Sequence, residues 1–244
     1  MGWADAFEHA GVRVASRELL LAYGATGRSL TAAVNSGFLV RARRDHYVLP
    51  SEGSGIVVAT RVGGRLGCIS ALAEAGIFVL DAKLPHIHIE RGMSRLRSPR
   101  GRFIPLADRN RDGAHLHWWP LTDERHATEY SVGLVDALAQ AVRCQHPWFA
   151  IASIDNAIFK RAVDADVVTG LFRRLPEKHR YLHRKVNGLA EAGQETILRM
   201  ILDSAGLQYE LQVTIHGVGR VDMLVEGCLV LEADSRLAHD GWER

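Results

Sequence analysis

Helix caps and helix stops fall so close together over residues 16–50 that this stretch has room only for two short helices and a strand pair. Ser16 is placed to cap a helix over 17–23, with Leu19, Leu20 and Tyr23 as its buried side. Gly24 ends that helix, and Thr26 caps a second over roughly 27–36, with Leu30, Ala33 and Val34 facing inward. Gly37 is a helix stop. Phe38-Leu39-Val40 and Tyr47-Val48-Leu49-Pro50 then flank the polar run Arg41-Ala42-Arg43-Arg44-Asp45-His46, which reads as a hairpin with a basic tip. A short helical lead-in over 4–10 precedes them.

Two short helices and a basic hairpin make a small winged helix-turn-helix. In that arrangement the second helix enters the major groove and the hairpin touches the backbone or minor groove. The exposed candidates are Arg28, Ser29, Thr31 and Asn35 on the helix, and Arg41, Arg43, Arg44 and His46 on the wing. Asn and Arg can make bidentate base contacts. The alternative is a helical hairpin with solvated arginines. Tyr47 reads as a core cover rather than a base-stacking platform.

Charge sharpens the reading. Residues 1–190 hold 26 Lys or Arg against 18 Asp or Glu, whereas residues 191–244 hold 4 against 10. The formal net charge of +2 excludes a polyanion-coating tail as the main theme. Asp5 and Glu8 precede any apolar run, so no signal peptide is expected, and no run reaches the roughly 18 apolar residues of a membrane span. Cys68, Cys144 and Cys228 form no CxxC pair and no zinc spacing, which suits a reduced cytoplasmic compartment.

The middle of the chain alternates in character. Residues 55–76 carry two helical stretches broken by Gly63-Gly64 and Gly67, and Gly63-Gly64-Arg65-Leu66-Gly67 does not match the GxGxxG dinucleotide fingerprint. His86-Ile87-His88-Ile89 reads as a half-buried strand. His86 and His88 then share a face, with no third ligand near in sequence, and read as strand-surface histidines rather than a metal site. Residues 91–111 form a basic loop, able to track a phosphate backbone or simply to be solvated. His115 to Trp119 reads as another alternating strand. Helical spacing follows at Val135, Leu138 and Val142, and Asp155 is placed to begin or cap a helix.

The last segment has the order helix, strand, turn, strand, turn, strand. A helix over 193–204 turns Ile197, Leu198, Ile201 and Leu202 inward, and Gly206 ends it. Strands follow at Tyr209–Ile215, Arg220–Val225 and Cys228–Asp234. Antiparallel pairing can bring Asp222 and Glu232 onto one face, and Glu232 and Asp234 share a face by their spacing. With Glu195 from the helix, these carboxylates would bind Mg²⁺ or Mn²⁺ and support metal-assisted phosphodiester hydrolysis. The alternative is an amphipathic sheet with Asp222 and Asp234 facing water and Glu195 an ordinary first-turn acid.

Gln194-Glu195-Thr196-Ile197-Leu198-Arg199, Gln212-Val213, Gly219-Arg220-Val221-Asp222 and Leu231-Glu232-Ala233-Asp234-Ser235, with His239, resemble the very-short-patch-repair-like branch of the PD-(D/E)xK nuclease superfamily. Residues 12–50 resemble the winged-helix head of AbiEi-type antitoxins, and the whole chain is similar to actinobacterial proteins that join such a head to a nuclease-like tail. The resemblance implies an α+β protein: a winged helix-turn-helix over 1–52, a mixed α/β region over 53–190 and a restriction-endonuclease-like fold over 191–244. It also implies Asp222, Glu232 and Glu195 as metal ligands, with Asp234 where the wider superfamily has a lysine. Gln212 matches the polar residue of the first strand. His239 is implied as a proton-transfer partner, and Arg199 pairs with a core carboxylate or reaches phosphate. Similar proteins continue past Gly241-Trp242-Glu243-Arg244 with a basic helix and a strand, so the nuclease-like region is expected to be incomplete at its C-terminus. Two functions follow as expectations: a DNA-binding protein with a Mg-dependent endonuclease site, or an antitoxin-like transcriptional repressor whose tail does not cut. Both have double-stranded DNA as partner, with a cognate toxin or self-association as further partners.

Overall fold

The structure, a computed structural model, describes residues 2–122, 124–190 and 192–233. The chain is a mixed α/β protein that divides into two compact units, Met1–Ala75 with Asp81–Gln140, and Gly76–Leu80 with Ala141–Arg244. The division at 140/141 falls inside the stretch read from sequence as one middle region. Among the described residues no helix is long and apolar enough to cross a membrane.

The first unit opens with α1 (Trp3–Ala10), β1 (Val14–Ser16), α2 (Arg17–Ala22), α3 (Gly27–Asn35), β2 (Val40–Arg43) and β3 (His46–Val48). Both expected caps form: Leu19 N donates to Ser16 Oγ at 3.0 Å and Ser29 N donates to Thr26 Oγ1 at 3.1 Å. The strands pair antiparallel in the order β1-β3-β2. Phe7, Ala15, Leu20, Leu30, Ala33, Leu39 and Tyr47 form the core under them, so Tyr47 is the core cover its sequence position suggests. Arg41 and Arg43 lie within β2 rather than at a hairpin tip. A register shift between them leaves Ala42 buried, and the turn shrinks to Arg44-Asp45, with Asp45 in the left-handed region at φ 60°.

The unit continues with α4 (Ser54–Val62), β4 (Arg65–Leu66), α5 (Cys68–Glu74), β5 (His86–His88), β6 (Arg97–Ser98), β7 (Gly101–Pro105), β8 (His115–His117) and the start of α6 (Leu134–Cys144). A three-stranded sheet runs β4-β5-β8, with β4 antiparallel and β8 parallel to β5. The basic stretch 91–111 is not a plain loop, because β6 and β7 pair as a hairpin inside it. Arg13 ties distant parts of this unit together. Its Nε donates to Glu52 at 2.5 Å, Nη1 pairs with Glu74, and its backbone N–H donates to Glu129 Oε1 at 2.8 Å. Its guanidinium also lies 4.7 Å over the Tyr130 ring. Burial works to lower the Arg13 pKa, but the hydrogen bonds to Glu74, Tyr130 and Glu52 outweigh it and raise the value.

α6 carries the chain into the second unit. There follow α7 (Pro147–Phe159), α8 (Ala165–Arg174), α9 (Glu177–Arg180), α10 (Gly193–Ala205), β9 (Tyr209–Ile215), β10 (Gly219–Val225) and β11 (Leu229–Leu231), the strands antiparallel in the order β11-β10-β9. Asp155, expected at a helix start, sits in the interior of α7 and is fully buried. Its Oδ2 accepts from Thr196 Oγ1 at 2.9 Å and Arg199 Nη2 at 3.0 Å, and its Oδ1 accepts from Asn187 N at 2.9 Å. This pairing sets the rotation of α10. Thr196, Arg199 and Met200 are buried, whereas Ile201, expected inside, is 43% exposed. Leu202 does face inward, packing with Met223 and Val225 of β10.

Removing one partner of a buried ion pair strands the other without compensation. Asp155→Ala is therefore expected to destabilise the protein by about 3–5 kcal/mol, read from urea unfolding, whereas the volume-matched Asp155→Leu/Arg199→Met pair loses much less.

Candidate functional site

The two basic hairpins of the first unit line one groove of about 750 Å³. Arg41, Arg43, Arg44 and His46 come from β2, β3 and their turn, and Arg95, Arg97 and Arg102 come from β6, β7 and the segment before them. Asp45 is the one acid among these lining residues. The arginines are held rather than splayed. Arg43 Nη2 donates to Arg95 O at 3.2 Å, and Arg102 Nη1 donates to Arg41 O at 2.9 Å, so each hairpin is bonded to the other. Burial, with the nearby Arg97 charge, lowers the Arg43 pKa from its ordinary value. Arg44 is exposed and 3.4 Å from Asp45. Phe103 stands at the rim, 81% exposed, with the Arg102 guanidinium 4.7 Å from its ring centre.

On α3, Arg28, Thr31 and Asn35 are exposed as expected. Ser29 is committed to the helix start, where its Oγ donates to Thr26 O at 3.0 Å and accepts from Thr26 N at 2.8 Å. Thr31 Oγ1 donates back to Gly27 O at 2.9 Å within the helix.

A second constellation lies around β5. His86 and His88 are not surface residues: they are 4% and 2% exposed, because β5 is the central strand of its sheet and is covered by α5. The parallel register sets His86 beside His115 and His88 beside His117. His86 Nδ1 comes to 3.0 Å from His117 Nε2, and the His117 ring stacks on Trp119 at 4.6 Å. Cys68, the first residue of α5, is buried with φ 49°. Gln140 of α6 fixes its surroundings: its Oε1 accepts from Cys68 N at 2.9 Å, and its Nε2 lies 3.2 Å from His88 Nδ1. Burial is the main cause that pushes the His88 pKa down to about 4, so this ring is neutral and its Nδ1 accepts from the amide. Cys144 ends the same helix, one turn beyond Gln140. The ligand atoms of Cys68, His86, His117 and Cys144 all lie within 4.8 Å of one another, so this buried group is able to bind a metal. None of the three cysteines is in a disulfide.

Among the described residues, this is the group of His, Cys, Asp and Glu gathered closely enough to hold a metal, and it is not the acidic set expected at the tail. The acids nevertheless occupy related positions. Val221 pairs with Val213 and Met223 with Leu211, on either side of Asp222 and Gln212, and the β10–β11 pairing ends at Met223–Leu231, next in sequence to Asp222 and Glu232. Buried Glu195 accepts from Ala192 N at 2.9 Å and from Gln212 Nε2 at 3.0 Å, which makes it part of the α10 cap as well. Asp222 Oδ2 accepts from Ala233 N at 2.8 Å. Gln212 has φ 54°, unusual for a residue other than glycine, and its Oε1 is buried without a hydrogen-bond partner. Arg199 pairs with a carboxylate, as one reading of it required, and that carboxylate is Asp155. Asp234 and His239 lie outside the described residues.

The Cys/His group escapes sequence reasoning because its members come from four separate segments, without paired-ligand spacing. The available signal was two His-x-His strands, 86–88 and 115–117. The glycines of residues 63–67 gain a reason here. A Cβ on Gly64 would strike His88 O, and one on Gly67 would lie 2.6 Å from Gln140 Oε1. Gly67 has φ −140°, which any residue adopts, so a substitution there tests close approach alone. Gly67→Ala is expected to cost about 1–3 kcal/mol by overpacking, checked by thermal unfolding of the full chain.

Compared with known proteins, the chain matches no family model and no curated protein sequence.

Proposed function

We propose that this protein binds double-stranded DNA through its first unit and acts as a DNA-binding regulator. The observation that carries the reading is the groove in which six arginines and one histidine from two hairpins surround a single aspartate. The order α1, β1, α2, α3, β2, β3, with the sheet order β1-β3-β2, supports a winged-helix reading, with α3 as the recognition helix and β2-β3 as the wing. Exposed Arg28 and Asn35 are then the base-reading candidates, and Arg41, Arg43, Arg44 and the β6-β7 arginines neutralise phosphates. Phe103 offers an apolar rim of the kind that reaches into a minor groove.

A second reading adds metal-dependent phosphodiester hydrolysis at the tail. It is favoured by the adjacent register positions of Gln212, Asp222 and Glu232 and by Glu195 bonded to Gln212. On that reading Mg²⁺ or Mn²⁺ is held by Asp222, Glu232 and Glu195, and Asp234 and His239 remain the further catalytic candidates of the sequence. A cognate toxin or a second copy of the chain is the further partner of an antitoxin-like repressor.

Duplex binding measured by fluorescence anisotropy across a salt series tests the first reading. Each phosphate-contacting arginine lost in Arg43→Ala or Arg44→Ala should weaken binding and flatten the slope of log K against log salt by about 0.9. Affinity and slope equal to the parent protein would reject the groove as the interface. Incubation with supercoiled DNA in Mg²⁺, Mn²⁺ or EDTA tests the second. Metal-dependent nicks that vanish in Asp222→Ala would establish cutting, and intact DNA throughout leaves a regulator.

A further inference from the structure

We propose that Cys68, His86, His117 and Cys144 bind one zinc ion, and that the ion is structural. A tetrahedral zinc with bonds of about 2.0–2.3 Å needs its four ligand atoms roughly 3.3–3.8 Å apart. The four side chains here offer two sulfurs and two ring nitrogens gathered within 4.8 Å, and the two nitrogens are 3.0 Å apart. Small adjustments of rotamers complete the tetrahedron. Soft thiolates with imidazoles select zinc over magnesium or calcium, which prefer oxygen ligands.

The charge also closes. Zinc displaces the two thiol protons to solvent, and two thiolates with two neutral imidazoles then balance the divalent ion. A site without net charge suits a position where Cys68, His86 and His117 are at most 7% exposed. Four protein ligands leave no position for a reacting water, which separates this site from a catalytic one. The surroundings are already ordered for it. Gln140 bonds Cys68 N, Ser70 Oγ accepts from His86 N at 2.8 Å, and Trp119 stacks on the His117 ring. The ion would clamp the start of α5, strands β5 and β8, and the end of α6. These pieces meet across 76 residues of sequence (68 to 144), in a sheet whose strands have only two or three residues each.

The test uses the full chain purified under reducing conditions. Elemental analysis should find one zinc per chain, and the chelated protein refilled with Co²⁺ should show tetrahedral d–d bands and a thiolate-to-cobalt charge-transfer band. Cys144→Ser, at the half-buried helix end, should keep the fold by circular dichroism. It should weaken zinc binding by at least the ~100-fold that loss of an outer-shell partner can cost, and should weaken the charge-transfer band. A folded chain that carries no zinc and gives no tetrahedral cobalt spectrum overturns the proposal, as does a Cys68–Cys144 disulfide in metal-free protein under the same conditions. Should Cys144→Ser fail to fold, the cobalt spectrum of the parent chain decides alone. The outcome is independent of DNA binding, which is measured separately.

Discussion

The carboxamide of Gln140 is the joint on which the interior of the first unit turns. It is 3% exposed, and it uses its oxygen on the backbone N–H of Cys68 and its nitrogen on the ring of His88. A buried amide left half satisfied would be costly, so α6, α5 and β5 are held in one relative position. That position requires Gly67, because any side chain there would occupy the space of the Gln140 oxygen. The central sheet is too short for its own ladder to specify the arrangement. Polar contacts aimed from helices supply what two- and three-residue strands lack.

The second unit solves the same problem with charge. Asp155 enters α7 at a position no helical interior favours, and it is tolerated because its two oxygens are taken up by Thr196, Arg199 and the backbone of Asn187 and Gly188. An apolar pair of equal volume would suffice for stability. What the ion pair adds is direction: it selects which face of α10 turns inward, and thereby sets Glu195 toward Gln212 of β9.

What the sequence made legible follows from how local each signal is. Ser16 and Thr26 were readable as caps because a cap is a three-residue event, and Tyr209–Ile215 was readable because alternation and flanking glycines bound it. The Arg41–His46 run looks like a basic tip in the sequence because a register shift leaves no mark in composition. Apolar periodicity fails on α10 at Ile201 because a buried Asp155–Arg199 pair overrides it, and the two members of that pair lie 44 residues apart. The histidines at 86 and 88 look like surface positions for the same reason. Only the sheet order, with β8 added parallel to β5, shows them to be interior.

The arginine groove depends on this interior through α4. That helix packs against β2, β3, β6 and β7, the strands of the groove, and also against β4 and β5 of the sheet that carries the histidines. Arg61 near its end donates to Pro99 O at 2.7 Å, which fixes the β6-β7 turn. Gly63 then closes the helix at φ 97°, and the Arg43 guanidinium occupies the space where a side chain at Gly63 would stand. A single helix end therefore does two things. It admits Arg43 to the groove, and through Gly64 it lets β4 approach the backbone of His88. The phosphate-binding geometry proposed for the surface is consequently set by backbone contacts deep in the unit, where bulk rather than charge is the controlling quantity.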